Sequence, residues 1–439
     1  MASQDAAGVV RLWTPLRRLL TLRVPVGAPR RQSTRGALSE GRAVMRVSNV
    51  GRALRAGAAL SLALGVSLVV AGGASADTTI TAPCTSASQT PQPLSVTVNG
   101  QTATGLYSLP STAPRGIVVV GHGFPGTSAS FASQMQQIAT NDGVIALAMD
   151  YRGTDMSTGL GWRVIEGAQD SIAATKLFDA ACPGSANFIN TVFGISMGGN
   201  MSGLAVSQNA KRSSGSPLYD YWFDVSGVSN VAETWADAEA ISLVPLGSVQ
   251  ATGTNALAAQ SAEFGGSALT ALPTYLANSP VTRAGLMRAS GIKGVEVFHG
   301  VDDGEVTADQ GVQMAAALAL AGIPTNVYTS VFNTPGGSNG LTLDGDTLGA
   351  ALAAVNTAAL MGLLPAYVSP FSGHVSAIVM STALSQLSAL YLQNQVPTGL
   401  SVTLQDGSLG TYSLINLPSN PLSALPNLLA SLPSLLLSL

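Results

Sequence analysis

The sequence predicts an α/β fold with a mostly parallel central sheet, helices on both faces and insertions of the cap or lid kind. Three observations carry this. Short continuous apolar runs, Gly116–Gly121 (GIVVVG), Gly143–Met149 (GVIALAM) and Phe188–Phe193 (FINTVF), read as strands buried on both faces. Segments of helical period alternate with them, which favours crossover connections and a parallel sheet. The 439-residue chain is 46% hydrophobic and only 10% charged, a composition that buries a large core and does not describe a disordered chain.

Taken in order, the N-terminal region stands apart. Of the 20 Lys and Arg, 11 are Arg within residues 1–55, while after Ala76 acidic residues outnumber basic ones by 21 to 9. No basic stripe of the kind that grips nucleic acid follows, so a nucleic-acid partner is not expected. Arg46, Arg52 and Arg55 precede the uncharged apolar run 57–72, and Ala74-Ser75-Ala76 reads as a cleavage site. Residues 45–76 are therefore expected to be a signal peptide, with a membrane anchor as the alternative. Residues 1–44 fit no such pattern and read as a non-native extension ahead of a start at Met45. An exported, secreted chain meets an oxidising compartment, so Cys84 and Cys182 are expected to pair; two buried thiols are the alternative. Closing so long a loop stabilises by about 4–5 kcal/mol in the chain-entropy account.

Residues 77–395 form the main domain. Residues 94–109 alternate apolar and polar around Asn99-Gly100, a hairpin signal. Helices are expected at 127–141, 163–181, 197–208 and 306–321. Further strands are expected at Tyr221–Val225, Val295–His299 and Asn326–Phe332. Two long segments break the alternation, 227–290 and 333–371. They read as a helical cap and a lid-like insertion over the site, or as peripheral decoration. Residues 396–439 hold a second hairpin signal, 400–416, then a Leu- and Pro-rich tail too broken by Pro for one helix. That tail either contacts the cell envelope or another protein, or packs on the body as a loose extension.

In parallel sheets ligands sit at the carboxyl ends of the strands, and there the chemistry-bearing residues fall. Gly194-Ile195-Ser196-Met197-Gly198 is a G-x-S-x-G motif; with 48 glycines in the chain, about half a match is expected by chance. A second match, around Ser338, leads into a loop-like stretch. Ser196 instead ends an apolar strand and begins a helical run, as a nucleophile elbow requires. A serine nucleophile needs a base and a group that orients it. Of three histidines, His122 (Gly121-His122-Gly123-Phe124-Pro125-Gly126) and His299 follow strands directly and read as structural loop residues. The chain order Ser, Asp, His selects Ser196, Asp303 and His374, with Asp302 open as the acid on spacing alone.

On these motifs residues 94–392 resemble the α/β-hydrolase superfamily. The H-G-x-x-D-x-x-V pattern around Asp303 resembles the acid loop of the prolyl oligopeptidase and dienelactone hydrolase branches, and implies Asp303 over Asp302. The His-Gly-Phe-Pro run resembles the oxyanion loop of esterases and epoxide hydrolases. It implies an oxyanion hole from the backbone N–H groups of Phe124 and Met197. A serine at position 196 argues against epoxide hydrolase and dehalogenase chemistry, which use Asp there. The resemblance implies an acyl-enzyme mechanism without metal or organic cofactor. The apolar, nearly uncharged insertions favour a small-molecule or lipid-like ester as substrate. A prolyl oligopeptidase-like peptidase, a cofactor-free perhydrolase and an inactive hydrolase-fold binding protein remain as alternatives.

Overall fold

A computed structural model describes residues 84–243, 247–300, 303, 305–331, 374–406 and 410–418. The expected N-terminal extension, signal peptide, lid-like insertion 333–371, Ser338, Asp302 and the Leu- and Pro-rich tail lie outside the described residues. Among those described, no helix is long and apolar enough to cross a membrane.

The centre is a ten-stranded sheet of order β1-β2-β4-β3-β5-β6-β7-β8-β9-β10. It opens with the expected hairpin, β1 (Gln92–Val98) and β2 (Gln101–Ser108). Val98 pairs with Gln101, which leaves a two-residue turn. Both turn residues have positive φ, Asn99 at 52° and Gly100 at 75°. Such a turn matches strand twist and favours Asn-Gly.

Then come β3 (Gly116–Gly121), β4 (Ile145–Met149), β5 (Ile189–Ile195), β6 (Tyr221–Val225), β7 (Gly294–Gly300) and β8 (Thr325–Val331), parallel where they pair. The hairpin signal near 400–416 appears as β9 (Gly399–Asp406) and β10 (Gly410–Pro418). It is not a separate module, because β9 pairs parallel with β8 and extends the main sheet.

Alternation along the strands separates two apolar layers. Ile117 and Val119 of β3 face one, and Val118 and Val120 the other. The first layer is closed by α2 (Val164–Ala181), α3 (Met197–Ser207) and α8 (Ala308–Leu320), the second by α1 (Ala132–Asp142) and α9 (Ala377–Gln393). Helix α9 was not singled out from the sequence, since its apolar residues run almost all round it. Tyr391 anchors it, its hydroxyl donating to Ile189 O at 2.9 Å.

Segment 227–290, between β6 and β7, holds four helices: α4 (Val231–Ser242), α5 (Gly247–Phe264), α6 (Leu272–Ala277) and α7 (Ala284–Ser290). It is tied to the first layer. Glu263 of α5 accepts the Ile165 N–H at the start of α2 at 3.0 Å and lies 3.4 Å from Arg163. Asn200 of α3 donates to Asn278 O at 2.7 Å, and Arg283 to Ser207 Oγ at 2.6 Å. Cys84 and Cys182 form a disulfide, which staples the start of the described chain to the C-terminal end of α2.

Candidate active site

Ser196 sits between β5 and α3 with φ 56° and ψ −122°, a region that non-glycine residues rarely occupy. The turn is held from three sides. Ser196 N–H donates to Val225 O, while Gly199 and Val228 N–H groups donate to Ser196 O at 2.8 and 3.0 Å. The flanking glycines have a steric reason. A Cβ on Gly194 would collide with Ser202 Oγ and the Gly198 carbonyl, and one on Gly198 with the Gly121 carbonyl. The G-x-S-x-G spacing thus lets helix α3 pack against the ends of β5 and β3 while the serine is turned out of line.

The two partners chosen by chain order meet it. His374 Nε2 lies 3.0 Å from Ser196 Oγ, and His374 Nδ1 lies 2.9 Å from Asp303 Oδ2. These contacts join residues 178 and 71 positions apart. Asp303 Oδ1 accepts the N–H groups of Glu305 and Val306 at 3.1 and 3.0 Å, so the carboxylate is fixed from its own loop. All three side chains are buried, with exposures of 6% for Ser196, 3% for His374 and 5% for Asp303.

Charge in this line is strongly organised. Burial opposes ionisation of Asp303, but His374, His299 and the Val306 N–H outweigh it and hold the carboxyl below its usual range. Burial likewise opposes a charged His374, yet the carboxylates of Asp303 and Glu305 raise it to about 9. Glu305 is the residue that sequence reading passed over. Its Oε2 lies 3.7 Å from His374 Nε2, the nitrogen that faces the serine. Glu305 stands two positions after Asp303 in the same loop, but nothing in the sequence marks its approach to His374.

The other histidines take supporting places. His299 Nε2 lies 2.8 Å from Val306 O and 3.4 Å from Asp303 Oδ2, bracing the acid loop. His122 is stacked on Tyr151 with ring centroids 3.9 Å apart, and burial lowers it to about 4, so it stays neutral.

The expected oxyanion donors belong to the loop after β3 and to the start of α3. Phe124 is buried against Trp162 in the loop after β3. Its backbone N–H has no acceptor among the described residues. Met197 is the first residue of α3, where a helix N–H lacks an intrahelical acceptor. Backbone strain gathers here too: Tyr151, Ser196, Ser226 and Val375 all have positive φ, at 56°, 56°, 44° and 47°. Val375 N–H donates to Ser226 Oγ at 3.3 Å, which ties the histidine loop to the end of β6. Strain of this kind costs about 1–3 kcal/mol per residue and persists where surrounding structure fixes it. Among the described residues no group of three or more His, Cys, Asp or Glu is placed to hold a metal ion.

The sheet order, with the serine after β5, the acid after β7 and the histidine after β8, decides the architecture. The fold is that of the α/β-hydrolases.

No known family's sequence profile matches the chain, and no curated protein does. Solved structures resemble it in part. The acylaminoacyl peptidase of Pyrococcus horikoshii aligns at 19% identity and a TM-score of 0.42, over 56% of this chain and 37% of its own. A hyperthermophilic esterase from Pyrobaculum calidifontis aligns at 15% identity and a TM-score of 0.41, over 65% and 84%. A puromycin-hydrolysing peptidase of Mycobacterium tuberculosis aligns at 16% and 0.39, over 55% and 36%. The chain thus spans little more than a third of the length of these two peptidases. Likeness of this degree does not speak to substrate.

Proposed function

We propose that the protein is a secreted serine hydrolase that cleaves carboxylic esters through an acyl-enzyme. The observation that carries this is the buried hydrogen-bonded line Ser196–His374–Asp303, with the serine on a strained turn. In this reading His374 Nε2 takes the Ser196 proton as Oγ attacks the carbonyl carbon. Asp303 holds the Nδ1 tautomer and stabilises the imidazolium. The N–H groups of Phe124 and Met197 receive the developing oxyanion; one such donor is worth about 3–4 kcal/mol. The imidazolium then gives its proton to the leaving alcohol. Water, deprotonated by the same histidine, attacks the acyl-enzyme and restores Ser196.

An ester is favoured over a peptide because Phe124, packed on Trp162 in the loop after β3, and the sparsely charged composition of the insertion 227–290 suit an uncharged, apolar acyl group. The acid-loop resemblance favours a peptidase as the second reading. Export is supported by the Cys84–Cys182 disulfide, a bond that persists in oxidising compartments. The test compares short and long p-nitrophenyl esters with peptidyl anilides, using Ser196→Ala as control. Ester turnover that Ser196→Ala abolishes is expected. Anilide cleavage with inertness towards every ester would overturn the ester assignment.

A further inference from the structure

Resting on that reading, we infer that Glu305 is a positioning residue whose carboxylate, on the Nε2 side of His374, stabilises the imidazolium and so sets the pH above which the base becomes available. The geometry is direct. Nε2 has two oxygens near it, Ser196 Oγ at 3.0 Å within hydrogen-bond range and Glu305 Oε2 at 3.7 Å as an ion pair. An orienting carboxylate is already present on the other nitrogen, Asp303 at 2.9 Å from Nδ1. Glu305 is therefore not needed to hold the tautomer. It places a second negative charge on the side of the ring where the reaction occurs.

The surroundings leave few other charges to do this. The chain segment of α3, Met197–Ser207, and that of α9, Ala377–Gln393, contain no ionisable acid or base except Tyr391. From β7 and its loop, His299 faces Asp303 and not the serine side. His122, in the loop after β3, is buried and neutral. Asp224 of β6 is buried against Gly199 and Gly227, and burial raises it to about 7. Asp142, at the far end of α1, is bonded to Ser388. Among the described residues, Asp303 and Glu305 are the anions that act on His374.

Two consequences of opposite sign follow. A neighbouring anion stabilises the imidazolium, so at neutral pH the histidine carries the proton it must lack to activate the serine. Once deprotonated, the same imidazole is a stronger base. Removing the charge should raise activity at neutral pH and lower the plateau in alkali. A purely structural residue would lower both.

The experiment measures kcat/KM for p-nitrophenyl ester hydrolysis against pH in the full chain, for wild type, Glu305→Gln and Glu305→Asp. The His374 ring resonances are titrated by NMR in the same variants. Glu305→Gln is expected to move the acidic limb down by about one pH unit, giving about a tenfold gain below the limb, with a crossover above it. Glu305→Asp should keep a wild-type limb or fall between. An unmoved His374 titration in folded Glu305→Gln would overturn the inference, whether or not esters are turned over. Absent esterase activity with a shifted titration would instead count against the function proposed above and leave the Glu305 inference standing.

Discussion

At the scale of single residues, the proposed chemistry turns on proton positions. Ser196→Ala should reduce ester turnover to background, a loss of about 10⁶ in kcat if the three side chains act as a unit. Asp303→Asn keeps the shape of the site but offers His374 an amide that can present N–H where an acceptor is needed. The expected loss in kcat is about 10³–10⁴, measured by steady-state kinetics with thermal unfolding as a fold control. A raised His374 also fixes the sign of the pH profile. Hydrolysis requires the neutral ring, so kcat/KM should climb through an acidic limb near pH 9, the value to which Asp303 and Glu305 raise it. A limb near the ordinary histidine range would show that these carboxylates do not act as described.

At the scale of elements, the elbow depends on glycines whose missing side chains let α3 approach the sheet. Gly198→Ala should cost about 3 kcal/mol or more, or yield insoluble protein, because the added methyl meets the Gly121 backbone. The helical segment between β6 and β7 depends on Glu263 for one of its ties to the body. Glu263→Ala leaves the Ile165 N–H at the start of α2 without its acceptor and should lower stability by about 1–3 kcal/mol in denaturant melts.

Most of these elements were readable in the sequence, for definite reasons. β3, β4 and β5 are continuous apolar runs, and the Asn99-Gly100 turn needs two positive φ values that Asn and Gly accept. Helix α9 was not read, because apolar residues all round it give no stripe. The role of β9 as a further parallel strand of the main sheet was not readable either, since pairing with β8 is a long-range choice that period-2 alternation does not encode. At the site, Ser196 and His374 could be named from motif context and chain order, and Asp303 over Asp302 from the resemblance of its loop. Glu305 could not, because its meaning lies in a 3.7 Å approach across the fold to a histidine 69 positions away. No periodicity records such a contact.

At the scale of the whole molecule, buried acids shape stability. Burial raises Asp224 and Glu263 to about 7 and Glu296 to about 8. Between about pH 4 and 8 the folded chain therefore holds protons that the unfolded chain has released. Their contribution is full below the ordinary carboxyl range and is lost as pH rises through 7 to 8. Asp224→Asn should raise the melting temperature by several degrees at about pH 8.5, by clearly less at about pH 5, and change it little below about pH 4. Equal shifts at all three values would contradict the assignment. The disulfide acts on the same scale. It closes a loop of 98 residues, so replacing both Cys84 and Cys182 by Ser should cost about 4–5 kcal/mol at most, read as a fall in the denaturation midpoint.

The proposed chemistry requires Ser196 to be an activated nucleophile. Its most direct test is labelling of the intact protein with a fluorophosphonate, followed by peptide mapping by mass spectrometry. One phosphonyl group is expected, on Ser196, with labelling that quickens as His374 loses its proton and that vanishes in Ser196→Ala. A label on Ser338 or elsewhere, or no label at any pH at which the chain is folded, would contradict it.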